Sequence, residues 1–219
     1  MDGKFRQFIH VHTGGFGAGL RFSSRFVDVL VAPFILELAV FYAYLAARVV
    51  TLFMPLALEL VGRKAAPQLA SLARMDGQTP FQAAAARINL GYLMICGGGG
   101  VVLLALAPFA NIVFNGLDPA FNDILLWLVI GQSAPVLFGA TGLLMHAVDR
   151  AAFYDVLQGM TALLFVGSIV WLDVNKGGQV AQTFAAAQLT QAALCALLLT
   201  QCGVWPGLTA LFKKQIKLF

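Results

Sequence analysis

LELAVFYAYLAARVVTLFMPLALEL, residues 36–60, is a 25-residue apolar run with one basic residue, Arg48, near its middle. As a helix it rises about 37 Å at 1.5 Å per residue, enough to cross a hydrocarbon core of about 30 Å. A strand reading fails, because a spanning chain must satisfy its backbone groups within helices or a closed barrel, and this run is far longer than a barrel strand. The rest of the chain is of the same kind. Hydrophobic residues make up 60% of the sequence and charged ones 11%, with a mean hydropathy of +0.84. A water-soluble domain is far more polar. The net charge of +4 does not indicate nucleic acid, because the basic residues sit mostly at predicted helix ends rather than on a polar domain.

Working outward from residues 36–60, a span requirement of about 20 residues gives six segments: 8–31, 36–60, 83–113, 124–146, 153–172 and 180–202. The expected fold is therefore all-α, an integral membrane six-helix bundle over residues 1–203, followed by a basic amphipathic tail at 204–219. Lys4, Arg6, Arg63, Lys64, Arg74, Arg87, Arg150, Lys213, Lys214 and Lys217 all fall on one side of this arrangement, and Lys176 is the only basic residue on the other. The positive-inside rule then places both termini in the cytoplasm. The polar N-terminus leads into an apolar segment without a small-residue cleavage site, so no removable signal peptide is expected. Between the second and third spans a helical extension to about Arg74 and then a turn are expected. Pro55 and Pro135, each lacking a backbone donor, are expected to kink their helices.

The intramembrane charges are the main functional signal. A charged residue at the centre of a membrane helix costs about 2.5–3.5 kcal/mol on insertion scales, so such residues face a bundle interior or a water-filled path. Arg21, Arg25 and Asp28 are spaced to share one helical face, and Arg25 and Asp28 are close enough for a local ion pair. Two readings are open for that face: a solvated cavity, or arginines that snorkel to the boundary or are neutralised by neighbouring helices. Glu37, Phe41, Tyr44 and Arg48 form a second stripe, a candidate pathway lining in which Glu37, close to the outer boundary, reads as an interfacial anchor rather than a coupling residue. A guanidinium fork suits phosphate or carboxylate, which makes an anionic headgroup the natural ligand of Arg48. Gln132, with Ser133, lines a cavity or hydrogen-bonds between helices. Gly97 to Gly100 suggest close helix packing or local flexibility.

Catalytic chemistry finds little support. Gly15–Gly19 resembles a nucleotide loop only superficially, with no strand before it. His10 and His12 lack a third metal ligand nearby, and Ser133 and His146 lie too far apart on one helix to form a dyad. Cys96, Cys195 and Cys202 fall in apolar runs and suggest neither disulfide nor metal site. No enzyme activity, cofactor or metal is expected.

The order of these motifs resembles a known family. Residues 24–31, followed after a short turn by residues 38–48, resemble the seventh and eighth helices of polysaccharide exporters in the multidrug/oligosaccharidyl-lipid/polysaccharide superfamily: an aspartate-containing helix, a turn, then a tyrosine-and-alanine helix carrying an arginine. Residues 65–70 resemble the alanine-proline-arginine segment after the eighth helix, with Gln68 in place of the basic residue. Residues 130–139 and 142–145 resemble the tenth helix. The resemblance covers about 125 residues. It implies the C-terminal half of a flippase that moves lipid-linked oligosaccharide across a bacterial inner membrane, and the residues singled out above, Arg48, Arg25, Arg21, Asp28, Tyr44 and Gln132, are the expected substrate contacts. It also implies a partner: such exporters have two six-helix bundles, and this chain contains one, so a homodimer or a separate N-terminal half would complete it. Drug/cation antiport is the alternative within the superfamily, and a fragment or accessory subunit of a polysaccharide-synthesis complex the alternative outside it.

Overall fold

The computed structural model describes residues 19, 24–73, 78–113, 118–204 and 206. Among them the protein is all-helical, without a strand. Five helical segments are long and apolar enough to cross a membrane: Leu38–Ala73, Thr79–Phe109, Phe121–Phe138, Ala151–Trp171 and Gly177–Gln201. A sixth is not reached, because most of 8–31 lies outside the described residues; of that stretch only Gly19 and the end, α1 (24–31), are described. The basic tail, from residue 207 on, lies outside them as well.

Three of the five segments are interrupted, each for a local reason. The first consists of α2 (Leu38–Thr51) and α3 (Phe53–Ala73), parted at Leu52. Pro55 has no N–H to give the carbonyl of Thr51, and its ring crowds that turn. The Leu52 N–H is shared between the carbonyls of Arg48 and Val49, and the Thr51 hydroxyl bonds back to Arg48 O at 3.0 Å, an arrangement that bends helices. Beyond the break α3 continues well past the apolar run, as far as Ala73.

The second segment consists of α4 (Gln78–Leu93), one π-helical turn at Met94–Gly98, and α5 (Gly99–Val113). A π turn inserts an extra residue and is a recognised site of kinking. The third was read from sequence as one span, 124–146, and is instead three short helices: α6 (Phe121–Gln132), α7 (Ala134–Phe138) and α8 (Thr141–Ala147). Pro135 accounts for the break at Ser133. The break at Gly139 has another origin, since its φ of 70° with ψ of −163° belongs to a region that is essentially glycine-only. There the Ala140 N–H is given instead to Asn89 Oδ1 of α4, at 2.9 Å. Irregular backbone at membrane depth is tolerated where protein buries it, and both Ala140 and Asn89 are buried.

The last two segments, α9 (Ala151–Trp171) and α10 (Gly177–Gln201), are continuous. The α10 helix lies tightly along α6, because glycines remove the side chains that would hold the backbones apart. A Cβ on Gly131 would stand 2.9 Å from Ala185 Cα, and one on Gly177 would stand 2.7 Å from both Ile124 and Val40. Apolar packing falls into two clusters. One joins α1, α2, α6, α9 and α10 around Tyr44, Phe121, Leu128, Phe165 and Phe184. The other, near the opposite end, joins α3, α4, α8 and the end of α10 around Leu69, Phe81, Leu144, Met145 and Leu199.

Candidate functional site

The α1–α2 turn folds Asp28 back against Arg48. Glu37 starts the second stripe exposed, Phe41 is half-buried, and Tyr44 and Arg48 are fully enclosed, so the stripe turns inward along α2. Arg48 is 2% exposed, and Asp28 and Tyr44 are 0% exposed. Arg48 Nε lies 2.8 Å from Asp28 Oδ2, and Nη2 lies 3.5 Å from Oδ1. The same Nη2 donates to the carbonyl of Arg25, and Tyr44 OH donates to Asp28 Oδ2 at 2.8 Å. On the far side the guanidinium stacks on Phe184 of α10, 4.9 Å from the ring centroid. Arg48 Nη1 has no hydrogen-bond partner among the described residues.

Arg25 does not make the local pair with Asp28 that its spacing allowed. Arg48 supplies the charge for Asp28, and Arg25, one-third exposed, turns to Glu59 of α3 at 3.2 Å. Glu59 also holds Arg63 at 2.7 Å, so one carboxylate bridges two arginines. The remaining sequence candidates are not part of this group. Arg21 lies outside the described residues, as do His10 and His12. Gln132 is half-buried at the end of α6, with no hydrogen bond joining it to the Asp28–Tyr44–Arg48 group. Among the described residues no three histidine, cysteine or acidic side chains are grouped to hold a metal, and the three cysteines are free thiols.

Sequence reasoning missed several of the residues that contact these arginines. Phe184 and Glu59 sit within apolar runs with no motif to mark them. A second polar path runs from Ser24 of α1, whose hydroxyl donates to Gln158 Oε1 of α9, to Tyr154, whose OH accepts from Gln158 Nε2 at 2.7 Å. Tyr154 in turn meets His146 of α8 edge-on, with centroids 5.8 Å apart. Gly142 makes room for that tyrosine, since a Cβ there would stand 2.7 Å from its ring.

The site is thus a buried arginine held on three sides by a carboxylate, a carbonyl and an aromatic face, within a bundle whose segments are long and apolar enough to cross a membrane. No family model, curated protein or solved structure matches the chain.

Proposed function

We propose that this chain is one bundle of a membrane exporter that moves a lipid-linked oligosaccharide, with Arg48 as the group that meets the cargo's diphosphate. The observation that carries the reading is the enclosed Asp28–Arg48 pair and its depth. Arg48 stands 10 residues into α2, about 15 Å of rise, which is half of a core about 30 Å thick. Ion pairs at that depth are weak devices for stability, because desolvation offsets their attraction and apolar replacements often do as well. Their usual role in membranes is along substrate or ion paths. In this conformation Asp28 occupies the face of the guanidinium that a phosphate would take, and Nη1 remains available to a second oxygen. The motif order described above supports the same class of protein, in a bacterial inner membrane with both termini cytoplasmic. A second bundle, from another copy or a separate chain, would form the opposite wall of the path and rock against this one.

The near-complete enclosure of Arg48 favours one other reading, an accessory membrane subunit in which the pair only fixes the register of α1 on α2. Reconstitution separates the two. Liposomes containing this chain alone are loaded with a fluorescent polyprenyl-diphosphate oligosaccharide, beside an Arg48→Ala control. Flipping by the wild type that the control loses supports a self-assembling exporter. Absence of flipping by folded wild type contradicts it and points to a subunit or a missing partner.

A further inference from the structure

One stripe of α9 carries Tyr154, Gln158, Thr161, Phe165 and Ile169, spaced by four, three, four and four residues, which places them on a single helical face. Phe165 and Ile169 are buried. Phe165 meets Phe184 edge-on with centroids 5.8 Å apart, and Phe184 is the ring that lies under Arg48. Nearer the start of α9 the same face changes character. Tyr154 and Gln158 are polar and only half-buried, so the bundle does not close over them as it does over Phe165.

Helix α1 reaches the same place from the ion pair. Ser24 and Asp28 are both buried and stand four residues apart on one face, about 6 Å of rise. Asp28 turns to Arg48 and Tyr44, and the Ser24 hydroxyl donates to Gln158 Oε1. Gln158 Nε2 donates in turn to Tyr154 OH at 2.7 Å. The Tyr154 ring rests against α8, where Gly142 leaves room for it and His146 meets it edge-on. The result is a row of hydroxyl, amide and phenol groups that begins one helical turn from Asp28 and runs toward the α8–α9 turn. Its three members are uncharged, so the row does not select a phosphate as the Arg48 guanidinium does.

We infer that this row is a sugar subsite: with the cargo's diphosphate at Arg48, the first sugar of the glycan lies along Ser24, Gln158 and Tyr154 and exchanges hydroxyl hydrogen bonds with them. The inference rests on the exporter reading above. A sugar hydroxyl both donates and accepts, as do the serine and tyrosine hydroxyls and the glutamine amide. The bonds these groups make to one another can therefore pass to a sugar without leaving a polar atom unpaired, whereas a ligand lacking hydroxyls cannot take them over. The half-burial of Gln158 and Tyr154 gives access, and the burial of Ser24 sets one end of the row where hydrogen bonds are electrostatically stronger than in water. In such a cargo the first sugar is bonded directly to the diphosphate, so its subsite has to begin beside the phosphate, as this row does.

The test is a binding measurement by thermophoresis on the full chain in detergent, with two probes: polyprenyl diphosphate, and the same lipid carrying a single N-acetylglucosamine. The wild type is expected to hold the sugar-bearing probe at least about tenfold more tightly. Gln158→Leu is expected to lose most of that preference while its affinity for the bare diphosphate stays unchanged. Equal binding of the two probes by the wild type overturns the subsite, and so does a Gln158→Leu chain whose preference is intact, whether or not both affinities have fallen. If Gln158→Leu does not fold, Tyr154→Phe keeps the ring and removes one hydroxyl; its preference is expected to fall about threefold, and an unchanged preference overturns the subsite. Wild type that binds neither probe contradicts the exporter reading and the subsite together, whereas equal binding of both removes the subsite alone, so the two readings fail separately.

Discussion

Asp28 and Arg48 lie 20 residues apart on helices joined by a tight turn, and they meet at 2.8 Å where neither is open to solvent. Removing one partner leaves the other charged and enclosed, which costs about 3–5 kcal/mol, whereas replacing both together is often nearly neutral. Asp28→Ala and Arg48→Ala are each expected to destabilise the bundle by that amount, and Asp28→Asn combined with Arg48→Gln by much less. Thermal unfolding in detergent, followed through exposure of the Cys96 and Cys195 thiols to a maleimide dye, measures the difference.

Tyr44 completes the group by donating a hydrogen bond to the same carboxylate. Tyr44→Phe keeps the ring and removes the donor. A loss of about 1.5–3 kcal/mol is expected for a bond to a charged group, and the same thiol-exposure melt reads it.

At the Gly139 break, Asn89 is the acceptor for a buried backbone N–H. Asn89→Ala leaves that donor unsatisfied, at a cost of about 1–3 kcal/mol. Asn89→Asp keeps an acceptor oxygen in place but buries a carboxyl group without a charge partner, and is expected to lose at least as much stability as alanine does. Comparing the two unfolding midpoints checks this.

The α6–α10 contact depends on a missing side chain. Gly131→Ala brings a Cβ to 2.9 Å from Ala185 Cα, where backbone must move, and overpacking of this kind costs about 1–3 kcal/mol. Gly167, on α9, has nothing within 4 Å of such a Cβ. Gly167→Ala is therefore expected to be neutral or to stabilise by up to about 1 kcal/mol through helix propensity. Parallel melts of the two variants test the distinction.

Cys202 is exposed at the end of α10, opposite the Lys176 turn that starts the helix. With cytoplasmic termini, a membrane-impermeant maleimide is expected to label Cys202 only after the membrane is permeabilised, and a Lys176→Cys variant in intact cells. The reverse pattern inverts the orientation.

The long apolar spans and the interior position of Arg48 were legible in the sequence because both follow from local quantities: long apolar runs, and a charge where charge is costly. Pro55 and Pro135 marked two of the breaks for the same reason, a missing donor. The partners of the charges were not legible. The choice of Arg48 over Arg25 for Asp28, and of Glu59 for Arg25, depends on how the α1–α2 turn folds back and where α3 leaves its break, and neither is encoded in spacing along one helix. The Gly139 break was hidden in an apolar run because its signal lies 50 residues earlier, in the side chain of Asn89. The face of Phe184 under Arg48 is likewise a tertiary fact, since a phenylalanine in an apolar helix has no pattern of its own.

One comparison separates an arginine kept for cargo from one kept for packing: the rate of lipid-linked oligosaccharide flipping in liposomes by the wild-type chain and by the Asp28→Asn, Arg48→Gln double variant, at matched amounts of folded protein. The neutral pair removes both charges together, so that neither is left buried without its partner. If Arg48 meets the diphosphate, the double variant flips at least about tenfold more slowly, a difference of about 1.4 kcal/mol in the barrier, while its melting curve stays close to that of the wild type. Equal rates of flipping in the two proteins would contradict that role.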